Sequence, residues 1–288
     1  PGYYAEGGPG ENPPPGMQVN YVLGADVPAD VPMAMEILDA AGEVIFAEYS
    51  PETRPDCAAA PRPRRLKRTA GANRWSWDLQ VGRFPCIAEL TNTNRNLGAY
   101  TARPGDYRIR LTVGDAVRTQ DFTLLMDPRL EGIAADPVAE YETLDRLSAQ
   151  LYAGALEMGD GVFTLRDVGG QLEQRMAAAR ELGAEAVLEG GGALDARMEE
   201  WESRILQKYM ETGQNNYMFE ARLLIKFKDL LGRISGANIP VTAGVREVTG
   251  DYLDEWAGHR ADLQALMDDL RAFNQVLRSA GLPELYLG

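Results

Sequence analysis

The apolar residues of this chain follow one spacing up to Met126 and another after Asp127-Pro128-Arg129, and no single kind of secondary structure satisfies both. Before the break the period is near two, in short segments divided by turn residues, which predicts the strands of an antiparallel sandwich. Strands are expected over 18–23, 32–38, 43–49, 73–79, 106–113 and 116–125. Asp39-Ala40-Ala41-Gly42 reads as a tight connection, and Gly114-Asp115 as a two-residue hairpin turn. From Tyr107 to Val113 the odd positions are apolar and the even ones polar, so one face of that strand is buried and the other wet. Trp75 and Trp77, two apart, share a face as core or near-core packing.

After the break the period is 3.6. Val138, Tyr141, Leu144, Leu147, Leu151, Ala155 and Met158 step by three and four, with Asp136 as N-cap and Pro137 at the first helical position. Gly159, Gly161, Gly169 and Gly170 are expected to interrupt or kink this helix, leaving one helix or two, and a further run is expected to close at Gly190-Gly191-Gly192. Helices are then expected through Leu194, Met198, Trp201 and Ile205, and through Phe219, Leu223, Phe227, Leu230 and Ile234. The last helix opens near Thr242 and ends at Gly281-Leu282-Pro283. The expected organisation is a Gly/Pro-rich arm (1–16), an all-β sandwich (17–128) and an all-α antiparallel helical bundle (136–288).

The 288 residues leave room for two ordinary domains, and 45% apolar with 25% charged side chains is the balance of a globular chain. No stretch approaches the roughly 20 consecutive apolar residues of a spanning helix. A net charge of −14 repels phosphate backbones, so nucleic acid is not an expected partner. Residues 136–288 carry 26 acidic and 15 basic side chains, and residues 1–135 carry 17 and 14. The chain begins at Pro1 without an initiating methionine, charged n-region or apolar h-region, and is read as mature or truncated.

One histidine and two cysteines cannot complete a four-ligand zinc site, so no metal and no cofactor are expected. Cys57 and Cys86 fall in two loops of the β region; they read as one disulfide, the alternative being two inert thiols, and the disulfide favours an oxidising, extracytoplasmic compartment. His259, three residues after Trp256 and four before Leu263, faces the stripe of the last helix as a core or rim residue; as a general base it would need a partner and a cleft. There is no G-x-S-x-G elbow and no phosphate-binding glycine loop ending in Lys-Ser or Lys-Thr. No catalytic residue is assigned, and the chain is read as non-enzymatic.

Two features point to contact with partners. The arm holds five prolines and five glycines in its sixteen residues, and Tyr3 and Tyr4 are its natural anchors, on another protein or on the chain's own β domain. The run Arg62-Pro63-Arg64-Arg65-Leu66-Lys67-Arg68 places five positive charges in seven residues of an acidic chain. It reads either as a solvated loop or as a docking patch for an acidic protein or anionic lipid headgroups.

Several stretches together resemble a known family. Glu11-Asn12-Pro13-Pro14-Pro15-Gly16 running into Val19–Leu23, Ile37-Leu38-Asp39 with Gly42–Ile45, Asn73-Arg74-Trp75 with Trp77-Asp78-Leu79, and Pro104-Gly105-Asp106-Tyr107 resemble the region after the β-propeller in bacterial sortilin-like proteins, often labelled glycosyl hydrolases. Residues 215–236, Pro240-Val241-Thr242 and Phe273-Asn274-Gln275 with Ala280–Pro283 resemble the helical segment that closes those proteins. The β region also resembles the Ig-like module of flagellar hook-capping proteins. The resemblance implies an Ig/FnIII-like sandwich followed by helices, secretion, and a structural or adhesive role. It supplies no catalytic residues, because the propeller repeats that would hold a ligand are absent here.

The expectation is therefore an extracytoplasmic, periplasmic or secreted, protein-interaction subunit, extrinsic to a larger membrane-associated complex. The alternative is the non-catalytic C-terminal part of a propeller protein that binds or hydrolyses glycans or peptides.

Overall fold

A computed structural model describes residues 16–50, 66–85, 87, 98–128, 132–209, 219–235 and 240–288. Tyr3, Tyr4, Cys57, Arg62, Arg64, Arg65 and Cys86 lie outside the described residues. Among the described residues, antiparallel sheets occupy the N-terminal half and four helices the C-terminal half, so the chain is mixed β plus α. Contacts divide it into two units. The first draws on 16–50, 66–82 and 105–124, and the second on 83–85, 87, 98–104 and the described residues from 125 onward. Residues 83–85, 87 and 98–104, expected within the β domain, thus group with the helices.

The strands are β1 (Met17–Leu23), β2 (Met33–Leu38), β3 (Val44–Ser50), β4 (Gly71–Trp77), β5 (Gln80–Arg83), β6 (Gly98–Thr101), β7 (Gly105–Val113) and β8 (Ala116–Leu124). All six expected strands are present within two residues of their expected ends. The two unforeseen ones, β5 and β6, are four residues long, too short for a period to show, and pair with each other. β1 pairs with β4, and the four-stranded sheet runs β3-β2-β7-β8.

Register explains which face is buried. Met33, Met35 and Ile37 lie opposite Val113, Leu111 and Ile109, so the apolar sets of β2 and β7 share one face. On the other face Arg110 Nε donates to Glu36 at 2.7 Å and Arg108 Nε to Asp121 at 2.8 Å. The apolar face meets the tryptophans of β4: Trp77 packs edge-on against Tyr107 and Phe122, and Trp75 lies 6.2 Å from Phe46. Trp75 Nε1 donates to the buried carboxylate of Glu48 at 2.9 Å. The turn after β2 is closed by Asp39, whose Oδ1 accepts from the amides of Ala41 and Glu43, with Gly42 at φ 88°.

The helices are α1 (Pro137–Leu182), α2 (Glu185–Ile205), α3 (Leu223–Ser235) and α4 (Ala243–Ser279). Asp136 caps α1 by accepting from Ala139 N at 3.1 Å, with Pro137 in the first turn, and Thr242 caps α4 from Val245 N. Leu144, Leu147, Leu151, Ala155 and Met158 are buried as their spacing requires, whereas Val138 is exposed.

The glycines of the helical half behave differently from expectation. Gly159, Gly161, Gly169 and Gly170 do not break α1, which runs unbroken to Gly183 at φ 66°. Gly190-Gly191-Gly192 does not close a helix but lies within α2. Close packing is the reason at Gly159, Gly161, Gly190 and Gly191, as it is at Gly154, whereas a Cβ on Gly169, Gly170 or Gly192 would meet nothing closer than 4.0 Å. A Cβ on Gly154 would stand 2.8 Å from the Phe227 ring, on Gly161 2.8 Å from Leu263, on Gly190 2.9 Å from Phe273 and on Gly191 3.0 Å from Met176. Their missing side chains let neighbouring side chains approach, at a cost of roughly 1 kcal/mol of helix propensity per glycine.

Candidate interaction surfaces

The described end of the basic run is built into the first unit. Leu66 is buried, and so is Tyr21 on β1, whose hydroxyl donates to Lys67 O at 2.7 Å. Burial pushes the Tyr21 phenol up, partly offset by that bond, with Glu48 adding to the rise. The Arg68 guanidinium turns inward. It donates to Val27 O at 3.2 Å, to Ser50 O at 2.8 Å and Ser50 Oγ at 2.9 Å, and to the carbonyls of Pro28 and Val31. Arg68 is therefore a clamp on the 27–31 loop and the end of β3, while Lys67 beside it is exposed. Charge alone groups the two residues in the sequence; the long-range carbonyls that separate them carry no local signal.

His259 is half-buried on α4, and its own carbonyl accepts from Trp201 Nε1 at 2.8 Å. Its Nδ1 is buried without a hydrogen-bond partner, and Nε2 stands 4.0 Å from Glu255 Oε1. Glu255 also faces Lys226 at 3.5 Å, and Arg204 reaches Asp262 at 3.1 Å. Burial holds the His259 imidazolium below its ordinary pKa, with Glu255 and Asp262 pulling up and Arg204 and Lys226 pulling down.

Lys228 on α3 is not among the residues expected from sequence to matter, yet it is 5% exposed, with its ammonium 6.0 Å from the centre of the Phe84 ring. Burial lowers its pKa to about 8, against a smaller upward pull from Asp229. The signal was present: Lys228 stands four residues after Leu224 and three before Leu231, on the buried stripe of its helix. A second buried charge among the described residues of the helical unit, Glu202, accepts from Arg166 Nε at 3.0 Å and Nη2 at 2.7 Å.

The segment after α4 is held by side chains. Leu282 and Leu285 are buried, and Asn274 brackets the backbone of Leu285, donating to its carbonyl at 3.1 Å and accepting from its amide at 2.7 Å. Gln171 on α1 does the same for Tyr286, at 3.1 and 2.8 Å. Arg175 Nε donates to Pro283 O at 2.9 Å, and Arg278 pairs with Glu284 at 2.9 Å.

Among the described residues no helix is long and apolar enough to cross a membrane, and no group of three or more His, Cys, Asp or Glu is placed to hold a metal ion. Comparison with family models, with curated proteins and with solved structures finds no match to this chain.

Proposed function

We propose that this chain is a non-enzymatic, extracytoplasmic accessory subunit that acts by docking on other proteins of a larger membrane-associated assembly. The observation that carries the reading is the support under the basic run. Arg68 and Tyr21 tie its end to the sheets, and Lys67 is left exposed next to acceptors already filled by its neighbour. A cationic run whose described end, Leu66 to Arg68, is tied to the sheets in a chain of net charge −14 is suited to an acidic protein surface, since the entropy of ordering that end is already spent in folding. Arg62, Arg64, Arg65 and Lys67 are the docking residues of this reading, with Tyr3 and Tyr4 on the arm.

The fold reading that accompanies it is an Ig-like sandwich followed by an antiparallel bundle. The order β3-β2-β7-β8, with β1 and β4 paired separately, supports the first part, because an Ig-type arrangement sets C′-C-F-G against B and E. The one-residue cap at Gly183, which turns α1 into α2, supports the second.

Native mass spectrometry of the chain purified from its source in mild detergent tests the function. Co-purification at fixed stoichiometry with membrane proteins, lost when Arg62, Arg64, Arg65 and Lys67 are changed to Glu with Arg68 retained, is the expected result. A free chain, or a complex indifferent to those charges, overturns it. A far larger polypeptide carrying propeller repeats would favour the propeller-protein reading instead.

A further inference from the structure

We propose that β8 is a docking edge for a second copy of this chain, the two copies pairing β8 against β8 antiparallel about a two-fold axis so that their four-stranded sheets run on as one. The edge uses none of the docking residues of the basic run, so each reading can fail without the other.

Sequence and topology leave this edge open. β8 stands at one end of the order β3-β2-β7-β8, and at nine residues it is the longest edge strand among the described residues. Proteins normally blunt an exposed edge with proline, lysine, a bulge or a short length. Ala116-Val117-Arg118-Thr119-Gln120-Asp121-Phe122-Thr123-Leu124 has no proline, lysine or glycine, and its pairing with β7 keeps one register throughout. The opposite edge, β3, differs: a register shift falls between Ile37 and Leu38 beside it, and Arg68 occupies Ser50 O at its end. Residues 116–121 are all exposed, Val117 at 46%.

The turn decides which residues face outward. In a two-residue hairpin the flanking pair, here Val113 and Ala116, is hydrogen-bonded, so the even positions of β8 bond to β7. The odd ones, Val117, Thr119, Asp121 and Thr123, turn their amides and carbonyls to the free edge. Arg118 Nη1, which donates to Val117 O at 2.9 Å, marks that carbonyl as outward. The row of donors and acceptors so placed matches the spacing of another strand.

Charge selects the occupant. Two copies of net charge −14 repel one another, and most of that excess belongs to residues 136–288. The β7–β8 hairpin, residues 105–124, carries three acidic and three basic side chains, so two copies can meet there without net charge. Opposed residues of an antiparallel pair share a face, which fits an axis at Gln120. That axis sets Thr119 opposite Asp121 of the second copy, Val117 opposite Thr123 and Arg118 opposite Phe122, and no charge opposite a like charge. An axis at Arg118 or at Asp121 would set like charges face to face. Asp121 keeps its own counter-ion, accepting from Arg108 Nε at 2.8 Å.

Sedimentation velocity of the full chain from about 1 to about 100 μM tests this. The expected result is a mass that rises with concentration towards twice 31.6 kDa. Thr119→Pro removes an amide from the free edge and none from the β7 ladder, and should weaken the dimer at least tenfold. Gln120→Cys brings two thiols together across the axis, at the close spacing of a pair that is not hydrogen-bonded. It should form a disulfide between copies at least tenfold faster than Thr123→Cys, which is also exposed but lies opposite Val117. A wild type that stays monomeric, a dimer indifferent to Thr119→Pro, or equal crosslinking at the two positions overturns the proposal. Should Thr119→Pro fail to fold, the two thiol variants decide. Salt raised from about 50 to about 300 mM screens the repulsion between copies and should tighten the dimer, opposite in sign to docking through the basic run; a dimer loosened by salt overturns it. A monomer whose β8 amides are protected from exchange only in complex with another protein would make that protein the occupant and overturn the reading of a second copy.

Discussion

Lys228 places a charge in the interior of the helical unit, at a cost to the fold that depends on pH. Its pKa in the folded chain, about 8, lies below the ordinary 10.5, so the unfolded chain binds the proton more tightly between those values and stability rises as pH climbs through them. The gain in unfolding free energy is on the order of 2–3 kcal/mol, and Lys228→Met should abolish it. Denaturant titrations at pH 8 and 10 check this. His259, the single histidine, acts in the same direction at lower pH. Its folded pKa is depressed, so its contribution is present above the ordinary value of 6.5 and is lost as pH falls through the lowered one. Thermal midpoints measured from pH 7 to pH 5 should fall less in His259→Gln than in the wild type. Arg68 and Lys67 make a third comparison. Arg68→Ala strips donors from Val27, Ser50, Pro28 and Val31 and should cost roughly 3 kcal/mol, whereas Lys67→Ala should change stability by less than about 0.5 kcal/mol. Equal effects would mean that the two residues share one role.

The elements were largely legible because their signals are local. Period two with turn residues marked β1 to β4, β7 and β8, and the Asp136-Pro137 and Thr242 starts marked α1 and α4 at their caps. The glycines misled, since a glycine that ends a helix and one that admits a neighbour are the same letter. Two substitutions in α1 separate these roles. A Cβ on Gly170 meets nothing within 4 Å, so Gly170→Ala should stabilise by about 0.5–1 kcal/mol through helix propensity. A Cβ on Gly154 meets the Phe227 ring at 2.8 Å and Trp256 at 3.3 Å, so Gly154→Ala should destabilise by roughly 1–3 kcal/mol despite the same propensity gain. Thermal melts of the two variants, read side by side, check both signs.

At the scale of the whole molecule, charge is the dominant property. With 43 acidic and 29 basic side chains, and most of the excess in residues 136–288, the net charge opposes polyanions at long range, and the basic run is the local exception in the sequence. Docking through that run should weaken as salt rises from about 50 to 300 mM, because exposed charges are screened over roughly 10 Å or less in that range. Titrations of the partner at the two salt concentrations check the slope, which should flatten when Arg62, Arg64, Arg65 and Lys67 are reversed. By itself the sequence determined the features that neighbours along the chain can settle: the period of each half, the turn at Asp39, the caps, the acidic balance and the presence of a basic run. Tertiary structure decided everything that depends on residues meeting from afar. It turned Arg68 inward, buried Lys228, used the α1 and α2 glycines as contact points, and laid residues 282–286 between Gln171 and Asn274. The physical reason is range: propensity and hydrophobic period act over a few residues, whereas close approach and hydrogen-bond satisfaction are settled only when distant segments pack.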